Sequence, residues 1–316
     1  MSKTMNSDFI RKYGVIFGLG GIIVFFAIES PQYFFTISNF MLISKQSSIN
    51  ALLAIGQMFV ILTAGIDLSV GSMAGLTGAI AAGVTILTGS VFWGFLAGLA
   101  VGAGLGAVNG IIVALAKVPA FIATLATMSA IAGITLIYTQ GQPIWNLPKE
   151  FTFAGQGEIG DIPFPIILMA IVFIIAWIIL TFTKYGRHVY AVGGNIRASR
   201  AAGIKIKSVL ISVYTISGFL AALGGIVLAS RLGTAEPTAG TGYELDAIAA
   251  VVLGGTSLFG GEGWIVGTIV GAYIIGVLNN GMTIMNISPY YQEVVKGVVI
   301  LLAVMLTSFG KKFWNE

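Results

Sequence analysis

The chain has 316 residues, 57% of them hydrophobic and only 9% charged, with a mean hydropathy of +0.97. Soluble domains carry about a quarter charged residues, so this composition excludes a water-soluble globule and points to lipid as the main solvent. Cysteine is absent, which excludes disulfides, thiolate metal sites and a cysteine nucleophile; the formal charge of +4 is spread over short loops, not a basic domain, so no nucleic-acid partner is expected.

A membrane-crossing helix needs about 20 mostly apolar residues. Such runs predict an all-α, polytopic membrane protein with about ten spans, near 13–28, 46–64, 70–88, 91–115, 119–139, 163–183, 208–229, 245–261, 264–283 and 291–309. The first run follows Lys3, Arg11 and Lys12, an outline shared with secretory signals. No small-x-small cleavage site follows "FFAIES", so an uncleaved first span is expected.

Between spans 2 and 3 stands "TAGIDLSVGSMAGLTG", where Gly65 can end one helix and Asp67 or Ser69 can cap the next by accepting backbone N–H bonds. The span boundaries place Asp67 near the inner surface, where the cost of a charge falls away. Two roles are open to this break: a structural cap, or a mobile gate beside a transport pathway.

In span 4, Gly94, Gly98, Gly102, Gly106 and Gly110 recur every four residues and form a bare rib for close helix packing; Gly263, Gly267 and Gly271 repeat the device in span 9. The fragment "GAGLGA" has no strand before it and is not a dinucleotide fingerprint. Uncharged polar groups inside spans, namely Gln57, Thr63, Asn109, Thr124, Thr127, Ser129, Asn279 and Asn280, suit either contact with a sugar's hydroxyls or hydrogen bonding between helices.

Two loops exceed a turn. Residues 140–162 are rich in proline, glycine and aromatics, and 184–207 are basic. In the second, "NIRASRAAG" opens with an Asn cap and stops at Gly203, predicting a short surface helix that docks into another protein or anchors on lipid headgroups through Arg197 and Arg200. His188 is expected at the surface. A faint echo of "GIDLSVGS…GLTGAIAAG" in "GGTSLFGGEGWIVGTIVGA" suggests an internal repeat over spans 2–3 and 8–9. In span 10, Glu293 and Lys296 are spaced to neutralise each other, and Glu293 is the one candidate for proton or sodium coupling.

Orientation follows the excess of Lys and Arg in cytoplasmic loops. With the N-terminus inside, Lys3, Arg11, Lys12, Lys117, Lys184, Arg187, Arg197, Arg200, Lys205, Lys207, Lys311 and Lys312 are cytoplasmic. Only Lys45, Lys149 and Arg231 lie outside. Both termini are then cytoplasmic. No G-x-x-x-x-G-K-[ST] phosphate cradle, H-E-x-x-H or triad is present, so no catalytic, cofactor or metal site is expected.

Several stretches resemble a known family: "ILTAGIDLSVGS" (61–72), "PAFIATLATM" (119–128), "YAVGGNIRASRAAGI" (190–204), "PTAGTGYELDAIAAVVLGGTSLFGG" (237–261) and "NNGM" (279–282). They are similar to permease subunits of bacterial ribose-type ABC importers for monosaccharides. The resemblance runs from about 36 to 306 and implies one permease domain with a type II-like importer fold in the bacterial inner membrane. It implies a second copy of the chain, cytoplasmic ATP-binding subunits and an extracytoplasmic sugar-binding protein as partners, besides membrane lipid. It also implies that the region of Gly194, Asn195, Arg197, Ala198, Arg200 and Gly203 is a coupling helix that enters the ATPase cleft. Gln57, Asp67, Ser69, Asn109, Thr124, Asn279 and Asn280 are the candidates for the translocation path or gate. The rival expectations are an ion-coupled secondary sugar transporter, a passive channel, or the same machine carrying another sugar or a furanosyl signalling molecule.

Overall fold

The computed structural model describes residues 2–314, with side chains at 14–302 and 305. The side chains of Lys3, Arg11, Lys12, Lys311 and Lys312, part of the expected orientation, lie outside those described. The chain is helical almost throughout: α1 (Ser2–Glu29), α2 (Pro31–Phe34), α3 (Ile37–Leu62), α4 (Val70–Thr88), α5 (Val91–Ala114), α6 (Ala120–Thr139), α7 (Lys149–Gln156), α8 (Phe164–Phe182), α9 (Lys184–Gly194), α10 (Ile196–Ala201), α11 (Ile206–Leu232), α12 (Tyr243–Leu253), α13 (Ile265–Ile284) and α14 (Pro289–Trp314). One small antiparallel hairpin pairs β1 (Glu158–Ile159) with β2 (Ile162–Pro163). Long helices are what lipid demands, because backbone donors and acceptors there have no water to turn to.

Among the described residues, six helices, α4, α5, α6, α8, α11 and α13, are long and apolar enough to cross a membrane. Their ends follow local chemistry: left-handed glycines stop α4 at Gly89 (φ +67°) and α11 at Gly233 (φ +70°), while Pro119 and Pro163 precede α6 and α8. At the centre runs α3, buried without interruption from Ser47 to Leu62 and packed by α11, α13, α12 and α8. Such all-round burial suits a mostly apolar helix, with Ser47, Ser48, Asn50 and Gln57 as its polar exceptions.

The glycine rib of α5 does what its spacing predicts. All five glycines are buried. Gly94 and Gly98 lie on Thr85 and Ala81 of α4; Gly102, Gly106 and Gly110 lie on Gly218, Tyr214 and Ile211 of α11, close enough that a Cβ would press on backbone atoms. The rib of α13 fits α12 likewise, with Gly271 on Ala250 and Gly267 on Gly254. Van der Waals contact of bare backbones replaces the hydrophobic effect that lipid cannot supply.

Span 8 needs correction. Helix α12 has 11 residues, about 16 Å of rise, half of a roughly 30 Å hydrocarbon layer. The preceding stretch supplies the rest as a loop: the carbonyls of Pro237 and Gly240 lie against Gly75 and Gly71 of α4. Residues 233–242 therefore descend into the molecule without helix, which is tolerated only where protein covers the backbone.

The molecule has two ends. At one, the end of α9 that leads into α10 lies against the α3–α4 and α12–α13 connections, with Gly261 N–H donating to the Leu62 carbonyl at 2.9 Å. The two stretches that echo each other are thus both helix–break–helix, and their breaks touch. At the opposite end lies the long 140–162 loop, built from α7 and the hairpin, bridged to the descending loop between Ile144 and Ala235 and tied to α3 by a Lys45–Glu158 ion pair at 3.1 Å.

Candidate functional site

The break between α3 and α4 folds back into the molecule. Gln57, with its amide turned to match donors to acceptors, donates to the Asp67 carbonyl and accepts from the Asp67 N–H, both at 3.1 Å. Asp67 therefore lies about one and a half turns above the end of α3, and its Oδ2 accepts from Ser217 Oγ at 2.9 Å, three turns into α11. It is fully buried. The inner-surface position expected from the span boundaries is corrected: the chain re-enters after Leu62, and Asp67 sits deep.

A carboxylate at that depth must be hydrogen-bonded to be tolerated. Asp67 Oδ1 accepts from both the N–H and the hydroxyl of Ser69, at the start of α4. Asn109 of α5 donates through Nδ2 to Ser69 Oγ at 2.8 Å, and Thr124 of α6 donates to the Ile66 carbonyl at 3.1 Å. Asp67 thus gathers α3, α4, α5, α6 and α11 at one point. Of the candidates, Gln57, Asp67, Ser69, Asn109 and Thr124 meet here. Ser217 was not among them; a lone serine in an apolar run carries no signal until α11 is placed beside the break. Two buried polar atoms adjoining this point, Tyr214 Oη and Asn109 Oδ1, have no hydrogen-bond partner among the described residues.

Asn279 and Asn280 lie elsewhere. Asn280 Nδ2 donates to Asn39 Oδ1 at 2.8 Å, and Asn39 donates onward to the Phe34 carbonyl at 2.9 Å, joining α13 to α3 at the opposite end. Thr63, Thr127 and Ser129 return their hydroxyls to carbonyls three or four residues back in the chain.

Just beyond Ser69, two helices begin facing each other. Gly71, in the first turn of α4, leaves no room for a side chain because Gly240 O and the Glu244 carboxylate occupy that space. Glu244 belongs to the first turn of α12. Both helices start inside the molecule, and each has acidic groups at its positive end: Asp67 for α4, Glu244 and Asp246 for α12. Sequence reasoning found both starts, at 70 and 245, but not that the second lies inside the molecule or that its helix ends at Leu253. Asp246 also pairs with Lys296 of α14 at 3.5 Å, and Lys296 pairs with Glu293 at 2.6 Å. The expected neutralisation of Glu293 is present, with a third member.

The basic loop forms the short helix its sequence predicts. Asn195 Oδ1 accepts from the N–H groups of Arg197 and Ala198, both at 3.0 Å, and Gly203 closes the segment at φ +78°. Only Ser199 of α10 is buried; Asn195, Arg197, Ala198, Arg200 and Gly203 are exposed, as are Gly194 and His188. Behind α10, Gly193 fits so tightly under Leu62 O and Gly261 N that no side chain could stand there, and Gly260 touches Ala64. The end of α9, from which α10 continues, rests on the α3–α4 and α12–α13 connections. Packed contact therefore runs unbroken from an exposed helix to the interior junction.

A family model described as branched-chain amino acid transport system / permease component matches residues 39–304. The chain belongs to that family. It is 52% identical over 281 residues, 88% of this chain and 87% of the relative, to the ribose import permease protein of Escherichia coli (strain K12). The ribose import permease protein of Bacillus subtilis (strain 168) is 46% identical, covering 94% of this chain and 92% of its own length. The D-allose transport system permease protein of Escherichia coli (strain K12) is 40% identical over the same shares. No solved structure matches. Family membership and six membrane-length apolar helices make this a multi-pass membrane permease component of the bacterial inner membrane.

Proposed function

We propose that this chain is the membrane-crossing subunit of an ATP-binding-cassette importer that brings ribose into the cytoplasm. The observation that carries this reading is its 46–52% identity, over nearly full length, to relatives named ribose import permeases. The chain contains no phosphate cradle of the G-x-x-x-x-G-K-[ST] kind, so hydrolysis belongs to a separate ATPase subunit. A second copy completes the path, and a sugar-binding protein delivers the cargo at the end carrying the 140–162 loop. In this reading the end carrying α10 is cytosolic, with ten passages counted when residues 233–253 make one passage as half loop, half helix. Such a topology returns both termini to the cytosol.

Transport works by leverage from α10. Closure of the ATPases moves α10; the contacts of Gly193 with Leu62 and Gly261 carry that displacement into the two broken helices, and the junction near Gly71 opens or closes. Asp67, Ser69, Gln57, Asn109 and Thr124 act as the fixed point of this gate. Asn280 joins α13 to α3 through Asn39.

The test is uptake of labelled ribose into proteoliposomes holding the chain with its ATPase and binding protein. ATP-dependent accumulation is expected. Accumulation by the chain alone on a proton or sodium gradient would overturn the reading in favour of a secondary transporter. The allose-type relative makes a hexose the second substrate to try, and competition by allose against ribose measures that preference.

A further inference from the structure

The charged cluster on α12 and α14 lies well inside the molecule. Asp246 is eight residues from Gly254, about 12 Å along α12, and Lys296 is seven residues from Pro289, about 10 Å along α14. Each distance is counted from an opposite end, so Asp246 and Lys296 sit within the hydrocarbon layer, roughly 30 Å thick, while Glu293, four residues from Pro289, lies about 6 Å along α14. The side chains of Lys296 and Asp246 are 12% and 13% exposed, while Glu293 is 67% exposed. One ammonium thus faces two carboxyl groups.

A buried neutral pair could be structural. An extra carboxylate left open on the outer face of a membrane helix is different, because even one turn inside the span lipid opposes a charge. Its neighbours on α14, Val294, Val298, Leu301 and Leu302, are exposed and apolar, so that face is otherwise fit for lipid. Water must reach Glu293. The cluster also touches α12, one of the two helices that start inside the molecule, next to the α4 junction.

We propose that Asp246, Glu293 and Lys296 line the transport path between two copies of the chain and bind the hydroxyl groups of the passing sugar. The proposal rests on the importer reading above and names a contact surface for its cargo. Carboxylate oxygens accept from vicinal hydroxyls and the ammonium donates to ring and hydroxyl oxygens. The sugar is uncharged, so the ion pairs need not break for it to leave, as a path with low retention requires.

The absence of cysteine makes thiol scanning direct. Glu293→Cys and Val298→Cys, on the same helix, are compared in the complete importer in proteoliposomes with a membrane-impermeant thiol reagent. A water-lined Glu293→Cys reacts on the order of ten-fold faster, because an apolar setting suppresses the thiolate, and the ribose-loaded binding protein slows it. Equal rates at the two positions would overturn the proposal, whether lipid or a sealed dimer contact covers Glu293. A second measurement uses Glu293→Gln and Asp246→Asn: the sugar-loaded binding protein at half-maximal uptake rises several-fold, while its stimulation of ATP hydrolysis persists. Unaltered uptake kinetics in both would also overturn it, as would wild-type uptake that falls when choline replaces sodium, which marks a cation site. Wild-type ribose uptake, measured in the same vesicles, reports on the importer reading separately.

Discussion

Asp67 shows how a single residue organises this protein. Its carboxylate accepts from Ser69 twice and from Ser217 once, and among the described residues no basic side chain is hydrogen-bonded to it. Removing it strands three buried donors, each costing about 1–3 kcal/mol. Asp67→Ala is therefore expected to lower the thermal midpoint of the purified protein sharply, whereas Ser217→Ala, which removes one donor and leaves two, lowers it less. Equal midpoints for the two variants would contradict the hub. Gly203 makes a prediction of another kind. It has φ +78° and open space around it, so Gly203→Asn, a residue that tolerates the left-handed region, keeps fold and transport. Gly203→Trp keeps the fold at reduced stability but uncouples ATP hydrolysis from uptake, read as the ratio of the two rates.

Elements meet here through missing side chains. Gly106 of α5 lies on the Tyr214 carbonyl, while Gly104, two residues away, has nothing within 4 Å. Gly106→Leu forces α5 from α11 and costs at least the 1–3 kcal/mol typical of overpacking; Gly104→Leu adds an apolar side chain to open surface and is expected to be neutral. Comparing the two melting midpoints isolates helix contact from helix propensity, since the substitution and the helix are the same. The rib was fully legible in the sequence, because a four-residue repeat of glycine puts every bare position on one face. What it faces was not. Nothing in "SVYTISGFLAALGG" announces that Gly218 will answer Gly102 and Gly106, since that pairing depends on how two distant segments are laid side by side.

At the scale of the whole molecule, the coupling reading demands that α10 and the interior junction move as one. The contact chain runs through Gly193, Leu62 and Gly261, where the backbones leave no slack. Gly193→Ala is expected to loosen this seam: basal ATP hydrolysis of the complex remains while its stimulation by the loaded binding protein falls several-fold. If stimulation is unchanged in a variant that still assembles, the seam does not carry the motion. The same seam explains why the internal echo over spans 2–3 and 8–9 was only faint: what the two stretches share is a break and a tight glycine contact, features a few residues can supply.

Composition and apolar periodicity alone determined that the chain is helical and lives in lipid, because few charges and repeated long apolar runs leave no other solvent. Local chemistry likewise fixed the α10 cap, since Asn195 and Gly203 act within their own turns. Depth was decided only by tertiary structure. Hydropathy measures how oily a segment is and not where it sits, so it read 245–261 as a crossing and put Asp67 at a surface. Both errors have one cause: backbone that leaves a helix inside a membrane survives only when other helices cover it, and covering is a property of the assembled bundle.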